Sequence, residues 1–286
     1  GLSPAVCICL VYVLDRKTAL RREIRTAVRI EIGYLIFLFV TIPCGMVFSV
    51  SADNIYSRGP HFYIYIVMYF GAILYLSAST VITAREFQNR SRLLIYPLIL
   101  FVMAETIIQV ALPELHVTWL CVTLLSVLYF IYCSEMWNQL DALTGLLNQN
   151  SYLKQTGGVR CKGGVLVVFD VDDFKQINDQ YGHIQGDLCL AGIAECIKKS
   201  YANFGYCYRI GGDEFCVLLK NGGNEGRCKQ EFLQRLQEKR GEIAFLPTVS
   251  YGSAPFSGED IVKVKDRADQ DMYQYKKERK NRKRLS

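Results

Sequence analysis

Long apolar runs separated by short charged segments fill the first half of the chain, whereas the second half mixes short apolar runs with polar, helix-like patterns. A membrane-spanning helix takes about 20 apolar residues. Four runs reach or approach that length, at 28–50, 62–82, 93–112 and 117–133. A fifth run, 5–14, is about half as long and follows a first residue that is not Met, so we expect the remnant of a helix cut by a fragment boundary. The pattern predicts an N-terminal transmembrane α-helical bundle of about four full helices and one truncated helix. We assign this region to residues 1–135 and a second domain to residues 136–286.

The segments between the runs differ in their basic residues. Segment 15–29 holds six Lys or Arg and segment 83–92 holds three, whereas segment 51–61 holds one and segment 113–116 holds none. Lys and Arg accumulate in the cytoplasmic loops of membrane proteins. We therefore expect a multi-pass protein of the inner, cytoplasmic membrane whose last helix enters the cytoplasm near Glu135. The second domain is then cytoplasmic, and the lipid bilayer is a partner of the first.

Two polar residues lie within the third apolar run. Glu105 and Gln109 are four residues apart and share one face of a helix. A carboxyl group at membrane depth is costly, which makes it a hypothesis for a functional site. The alternative is a neutral, hydrogen-bonded packing residue in a helix bundle, and the sequence leaves both open.

Composition narrows the class of the second domain. The chain has eleven cysteines without a CxxC spacing, which indicates reduced, buried thiols rather than a disulfide framework or a cysteine metal site. Seven of the nine residues 276–284 are basic, within a net charge of +6. This clustering favours a membrane surface or phosphate groups as the partner over a nucleic acid.

The second half predicts an α+β or α/β sheet with helices packed against it. Strands are predicted at 164–170, 205–210, 215–219 and 245–254. A helix–loop–helix is predicted at 172–200, with the loop at 181–183, and further helices at 225–240 and 259–283.

Acidic residues gather where two of the strands end. Asp170, Asp172 and Asp173 follow the first strand, and Asp213 and Glu214 form the tip of a hairpin. If the strands are neighbours, these carboxylates meet at one edge of the sheet. Like charges so close repel unless a cation lies between them. Oxygen ligands and substrate phosphates are the surroundings that Mg²⁺ prefers.

The two glycines before these acids have a corresponding explanation. Gly211 and Gly212 would permit positive φ in a tight hairpin and let a bulky nucleotide approach the backbone. The plainer alternatives are that the sequence Gly-Gly-Asp-Glu is simply a turn, and that Asp172 and Asp173 are acids favourable for the start of a helix.

Five motifs in one order carry a family resemblance. They are DALTGLLN (141–148), FDVDDFKQINDQYGHIQGD (169–187), RIGGDEF (209–215), SYGSA (250–254) and ADQDMYQYKKERKN (268–281). Together they resemble the GGDEF-domain diguanylate cyclases over residues 139–284. The resemblance implies a nucleotidyl-cyclase palm-like, ferredoxin-like α+β domain.

The resemblance also implies an activity. Two domains face each other as a homodimer, each with one bound GTP, and each 3′-hydroxyl attacks the α-phosphate of the opposite GTP to give cyclic di-GMP and two pyrophosphates. Two Mg²⁺ ions per active site are implied, with Mn²⁺ as an alternative. Asp170, Glu214 and the backbone carbonyl of Val171 match metal ligands. Asp213 matches the acid that helps to deprotonate the hydroxyl or binds the second metal, so Asp213 and Glu214 are the catalytic candidates.

Further positions match the family's GTP-binding residues. Asn178 and Asp187 match its guanine-binding pair. A carboxylate can accept from N1–H and N2–H₂ of guanine together, whereas adenine offers neither donor there. The positions implied to contact the phosphates or support the site are Lys175, Lys276, Lys280, Gly211, Gly212 and Phe174. The plainer alternatives are an ordinary polar helix residue for Asn178 and a helix cap for Asp187.

The chain departs from the family pattern at a few positions. Many members carry Arg-x-x-Asp before the signature as a product-inhibition site, and the corresponding positions here are Ala202 and Gly205. Gln149 and Lys280 stand where Arg is frequent. Lys280 keeps the charge but loses the bidentate fork of Arg.

We expect a membrane-anchored diguanylate cyclase acting in signal transduction, with GTP as substrate and no nucleic-acid partner. The alternative is a catalytically inactive GGDEF module that acts as a GTP sensor or scaffold. A transporter or receptor with an incidental soluble tail gives no reason for five motifs in register.

Overall fold

The computed structural model describes residues 3–14, 21–52, 56–86, 95–111, 118–157, 163–220 and 222–285. The chain divides into two compact units, Gly1–Trp137 and Asn138–Ser286.

The first unit is mainly helical. Its helices are α1 (Ser3–Leu14), α2 (Arg21–Thr41), α3 (Tyr63–Glu86), α4 (Ile95–Ala111) and α5 (Thr118–Trp137), and one 3₁₀ turn, Ile42–Cys44, follows α2.

Three helices of the described residues are long and apolar enough to cross a membrane. They cover Ile24–Cys44, Tyr63–Ile82 and Trp119–Trp137. Helix α4, predicted as a full span, has 17 residues, and α1 has 12. An apolar N-terminal region is therefore confirmed, whereas the predicted count of about four full spans is not.

A small hairpin lies between α2 and α3, where the sequence predicted the end of an apolar spanning run (28–50) and a loop (51–61). Strands β1 (Phe48–Val50) and β2 (Tyr56–Arg58) pair antiparallel, with Phe48 opposite Arg58. The guanidinium of Arg58 lies 4.7 Å from the ring centroid of Phe62, a cation–π contact at the start of the next helix. Three-residue strands are too short for their alternation to be visible in the sequence.

The polar pair predicted in the third apolar run lies on α4, but the side chains of Glu105 and Gln109 are outside the described ones. Glu31 on α2 is instead a buried carboxyl that sequence reasoning missed, with 5% of its surface exposed.

The second unit is an α+β domain, as predicted. Its strands are β3 (Gly164–Val171), β4 (Gly205–Arg209), β5 (Glu214–Leu219) and β6 (Val249–Phe256). Its helices are α6 (Gln149–Thr156), α7 (Phe174–Tyr181), α8 (His183–Tyr201), α9 (Glu225–Glu242) and α10 (Ile261–Leu285). The strands form one sheet in the order β4-β5-β3-β6, and each neighbouring pair is antiparallel.

Alternation along the strands divides the core between the two faces of this sheet. On β3, Val167 and Phe169 join the cluster that contains Ile193 of α8 and Phe232 of α9. Leu166 and Val168 face the other way and join the cluster that contains Ala268 of α10. Because successive side chains of a strand point to opposite faces, the side chain of Asp170 lies on the face of the sheet that packs against α10.

One predicted boundary in this domain was wrong, and one helix was missed. The strand predicted at 245–254 begins only at Val249, because Pro247 has no N–H to donate to a ladder. Helix α6 was not predicted; the side chain of Asn148 caps it by accepting from the Ser151 N–H at 2.9 Å.

The ten described cysteines form no disulfide bonds, but the prediction that they are buried was wrong for Cys9 and Cys44, which are exposed. Burial raises the pKa of the Cys189 thiol to about 11, which keeps it protonated and unreactive near neutral pH. Cys161 lies outside the described residues.

Candidate active site

The acids predicted to meet do come together at one edge of the sheet. The antiparallel register of β3 and β5 sets Asp170 directly opposite Glu214. One residue further on, the Val171 N–H donates to the Asp213 carbonyl at 3.2 Å, which joins the strand end to the hairpin tip. The positions predicted as metal ligands therefore form one contiguous edge.

Lys276 reaches this edge from α10. Its Nζ donates to Asp170 Oδ1 at 2.5 Å and lies 3.4 Å from Asp172 Oδ1. Partial burial lowers the pKa of Lys276, but the hydrogen bonds and charges of the two carboxylates outweigh it and raise the pKa. The lysine predicted to bind phosphate is thus a charged ammonium held among the acids.

Gly252 on β6 explains how α10 comes so close. A Cβ at this position would lie 2.2 Å from the Ala268 carbonyl oxygen and 2.2 Å from the Met272 nitrogen. Only a glycine allows the helix backbone to rest against the strand there. This contact fixes the distance between α10 and the sheet, and it thereby allows the Lys276 side chain to contact the acids.

Asp172 is far more engaged than an acid at a helix start. It is 9% exposed and accepts from Thr248 Oγ1 at 2.8 Å and from Ser250 Oγ at 2.7 Å. Arg279 of α10 donates at 3.1 Å to Oδ2, the same oxygen that accepts from Thr248. Three hydrogen-bond donors therefore occupy most of the roughly four lone-pair sites of this carboxylate, and the Lys276 ammonium lies beside it as an ion-pair partner. The sequence interpretation of Asp172 as a helix-start acid was therefore incomplete.

This difference separates the two acids as candidates for a metal. Among the described residues, Lys276 is the hydrogen-bond partner of the Asp170 side chain, so that carboxylate keeps capacity for a cation, whereas Asp172 does not. No group of three His, Cys, Asp or Glu side chains within the described ranges could hold a metal alone. Two carboxylates and a backbone carbonyl nevertheless fit Mg²⁺, which takes few protein ligands and completes its shell with water and phosphate oxygens.

The hairpin tip differs from the prediction in its backbone. Gly211 and Gly212 are not among the glycines with positive φ, so that expectation was wrong. The loop between β4 and β5 spans four residues, 210–213, and loops of this length are built without the positive-φ turns of two-residue hairpins. A Cβ on Gly211 would lie 3.2 Å from the Glu214 side chain, whereas one on Gly212 would meet no atom within 4 Å. Gly212 therefore opens the backbone to an approaching group.

A clamp that sequence reasoning did not recognise holds this tip. Arg209 donates to the Gly212 carbonyl from Nη2 at 2.7 Å and to Asp141 Oδ1 from Nη1 at 3.0 Å. Thr144 donates to the same Asp141 oxygen through its N–H at 2.9 Å and its hydroxyl at 2.7 Å. Burial raises the pKa of Asp141, but these hydrogen bonds outweigh it and lower the pKa below its usual value. The signal was present in DALTGLLN and RIGGDEF, whose first residues pair across 68 positions.

The residues predicted to bind guanine lie on α7 and α8. Gly182, with φ of 84°, makes the turn between these helices, and Asn178 and Asp187 lie on either side of it. A Cβ on Gly186 would lie only 1.9 Å from Asn178 Oδ1 and 3.3 Å from Phe174 Cζ. Asn178 and Phe174 therefore pack against Gly186. The next residue, Asp187, has an exposed side chain.

Two lysines complete the predicted set. Lys175 is exposed in the first turn of α7. Lys280 lies on α10, but its side chain is outside the described ones. Its neighbour Arg279, which the sequence did not single out, provides the guanidinium that enters this region.

Comparison with known proteins agrees with this geometry. Residues 138–282 match the family described as diguanylate cyclase, GGDEF domain, which is just over half of the chain. The probable diguanylate cyclase DgcJ of Escherichia coli is 30% identical over 151 residues, covering 50% of this chain and 30% of that protein. Diguanylate cyclase DgcS of Shewanella oneidensis is 32% identical over 154 residues, covering 51% of this chain and 52% of that protein.

A solved structure is also similar to part of this chain. The GGDEF domain of DgcB from Caulobacter crescentus, solved in complex with c-di-GMP, is 27% identical with a TM-score of 0.40, covering 49% of this chain and 90% of that chain. The matched part spans roughly a third to a half of the curated relatives named above. The resemblance carried by the five motifs is confirmed, and the chain belongs to the GGDEF family of diguanylate cyclases.

Proposed function

We propose that this chain is a membrane-anchored diguanylate cyclase that condenses two GTP molecules into one cyclic di-GMP and two pyrophosphates. The observation that carries the proposal is the edge of the sheet where Asp170 faces Glu214 and where Lys276 of α10 contacts Asp170. Residues 136–286 would be the catalytic domain, and residues 1–135 the sensor and membrane anchor.

The metal-binding residues would be Asp170, Glu214, Asp213 and the carbonyl of Val171. Two Mg²⁺ ions per site, with Mn²⁺ as an alternative, would stabilise the charge on the attacking and leaving oxygens. Lys276, Lys175 and Lys280 would bind the phosphates, and Gly211 and Gly212 would let them approach the hairpin backbone.

Each bond-forming step joins two substrates. The 3′-oxygen of one GTP would form a bond to the α-phosphorus of the other, while the bond from that phosphorus to the pyrophosphate oxygen breaks. Asp213 would take the hydroxyl proton, and the pyrophosphate would leave with the electron pair. Asp213 and Glu214 are therefore the proposed catalytic residues.

Asn178 and Asp187 would select guanine. The exposed carboxylate of Asp187 would accept from the N1–H and N2–H₂ groups of the base, and Asn178 is held beside it against Gly186. Adenine has no donors at those positions and would leave Asp187 without its hydrogen bonds. Phe174 would support the floor of this pocket.

The reaction requires two domains, so the active form would be a homodimer. Three apolar helices in the first unit would confine the chain to the cytoplasmic membrane with its catalytic domain in the cytoplasm. Confinement would raise the local concentration of one domain around another. The first unit would thus favour domain pairing as well as anchoring.

Product analysis tests the proposal. The 286-residue chain in detergent is incubated with GTP and Mg²⁺, and the products are identified by mass spectrometry. We expect cyclic di-GMP and pyrophosphate. Absence of product from a sample shown to be dimeric would contradict the proposal and favour an inactive GGDEF module that senses GTP or acts as a scaffold.

A further inference from the structure

Alternating charges connect β3 to α10 at the candidate site. Asp170 contacts Lys276, Lys276 also approaches Asp172, and Asp172 contacts Arg279. Building on the proposed function, we propose that Asp172 is a positioning residue that keeps Lys276 at the phosphate end of the site when Asp170 engages a cation.

Asp172 is suited to this because it is fixed independently of Asp170. Thr248 and Ser250, both from the β6 segment, donate to its two oxygens, and the Asp172 N–H donates to the Thr248 carbonyl at 2.8 Å. The carboxylate is therefore anchored to the sheet by backbone and side chain together. Its buried position strengthens each of these charge-assisted hydrogen bonds.

Lys276 has two carboxylate partners that differ in their other hydrogen bonds. Its shorter contact, 2.5 Å, is to Asp170, the acid with capacity left for a cation. Its longer contact, 3.4 Å, is to Asp172, whose carboxylate already accepts hydrogen bonds from other side chains. When a cation draws the Asp170 carboxylate away from the ammonium, Asp172 is the negative charge that remains beside it. The ammonium can then turn to a phosphate without leaving the site.

Arg279 strengthens the same arrangement from the next turn of α10. Its Nη1 donates to Asp172 Oδ2 at 3.1 Å and to the Val249 carbonyl at 3.3 Å. The helix is thus tied to the start of β6 at the level of the site. Arg279 is a second residue that holds α10, and it acts through Asp172 and not on substrate.

A double-mutant cycle in nucleotide binding tests the inference. The 286-residue wild-type chain, Asp172→Asn, Lys276→Ala and the double variant are titrated with an unreactive GTP analogue in the presence of Mg²⁺. The analogue has a methylene group between its α- and β-phosphorus. Each single change should weaken binding by about tenfold, the scale of one charge-assisted hydrogen bond. The double variant should be little weaker than either single variant, because both remove the same interaction.

Matched variants separate positioning from general loosening of the fold. Asp271→Ala removes another hydrogen bond between α10 and β6, the 2.9 Å bond from the Ser253 N–H, and should bind the analogue like wild type. Arg279→Gln removes one donor from Asp172 and should weaken binding by less than Asp172→Asn. It provides the same test if Asp172→Asn does not fold.

The outcomes distinguish this inference from the proposed function. Wild-type affinity in Asp172→Asn, or in Arg279→Gln where Asp172→Asn does not fold, would overturn the inference alone, as would single effects that multiply to about a hundredfold in the double variant. If the two substitutions are coupled in analogue binding as expected, but the wild type makes no cyclic di-GMP from GTP, only the proposed function would be overturned. Failure of the wild type to bind the analogue would overturn both.

Discussion

At the scale of single residues, three aspartates close together in sequence acquire different surroundings. Asp170 faces Glu214 and pairs with Lys276, and Asp173 adopts a left-handed backbone with φ of 53°. Asp172 is buried and accepts hydrogen bonds from three side chains. The sequence predicted that acids would gather here, but it could not separate them. The partners that distinguish them lie 76 to 107 residues away and are brought in by β6 and α10.

The hairpin acids give the first prediction. Asp213→Ala and Glu214→Ala should each lower the rate of cyclic di-GMP formation by about 10²–10⁴-fold, the range expected for loss of a positioned catalytic group. Thermal unfolding should change little, because neither side chain is buried. Steady-state rates and melting curves check this, and retained activity in both variants would overturn the site assignment.

Base selection gives the second prediction. Asp187→Ala should weaken discrimination between GTP and ATP, measured as the ratio of kcat/KM, because the carboxylate that pairs with guanine is lost. Asp179→Ala is the matched control, an exposed acid one residue beyond Asn178, and should keep wild-type selectivity. An unchanged ratio in Asp187→Ala would show that the base is read elsewhere.

At the scale of elements, the sequence predicted strands and helices best where their pattern is local. The buried strand 164–170 and the helix–loop–helix after it correspond to β3, α7 and α8. The start of β6 was missed because Pro247 lies inside an otherwise strand-like run, and the Arg209 clamp was missed because its partner is remote in sequence. The pattern therefore missed both a local effect of a proline and a contact between residues remote in sequence.

The contact between β6 and α10 gives the third prediction. Gly252→Ala should destabilise the domain by about 1–3 kcal/mol, because the new methyl overlaps backbone atoms of α10. It should also weaken GTP binding, since that helix carries Lys276. Gly241→Ala on α9, where a Cβ meets no atom within 4 Å, is the control and should be neutral or slightly stabilising. Equal melting temperatures for the two variants would contradict this account of the packing.

At the scale of the whole molecule, an apolar helical unit precedes a GGDEF domain. Three long apolar helices among the described residues suit a membrane, and the domain carries Asp170, Glu214 and Lys276 at one edge of its sheet. Anchoring and catalysis would then be separate tasks of separate units, connected by the short segment that follows α5.

Removal of the first unit gives the fourth prediction. Deleting residues 1–133 should leave a protein that is no longer found in the membrane fraction. Its rate per molecule should fall below that of the full chain at equal concentration, because pairing no longer benefits from a shared membrane. Fractionation and rate measurements over a dilution series check both. A rate per molecule independent of concentration would argue against pairing as the limiting step.

The most direct test of the central claim is the stoichiometry of the reaction. Pyrophosphate and cyclic di-GMP are quantified in the same sample as GTP is consumed, with Glu214→Ala as the inactive control. The account predicts two pyrophosphates for each cyclic di-GMP, and neither product from the variant. Consumption of GTP to other products, or no turnover by dimeric protein, would contradict it.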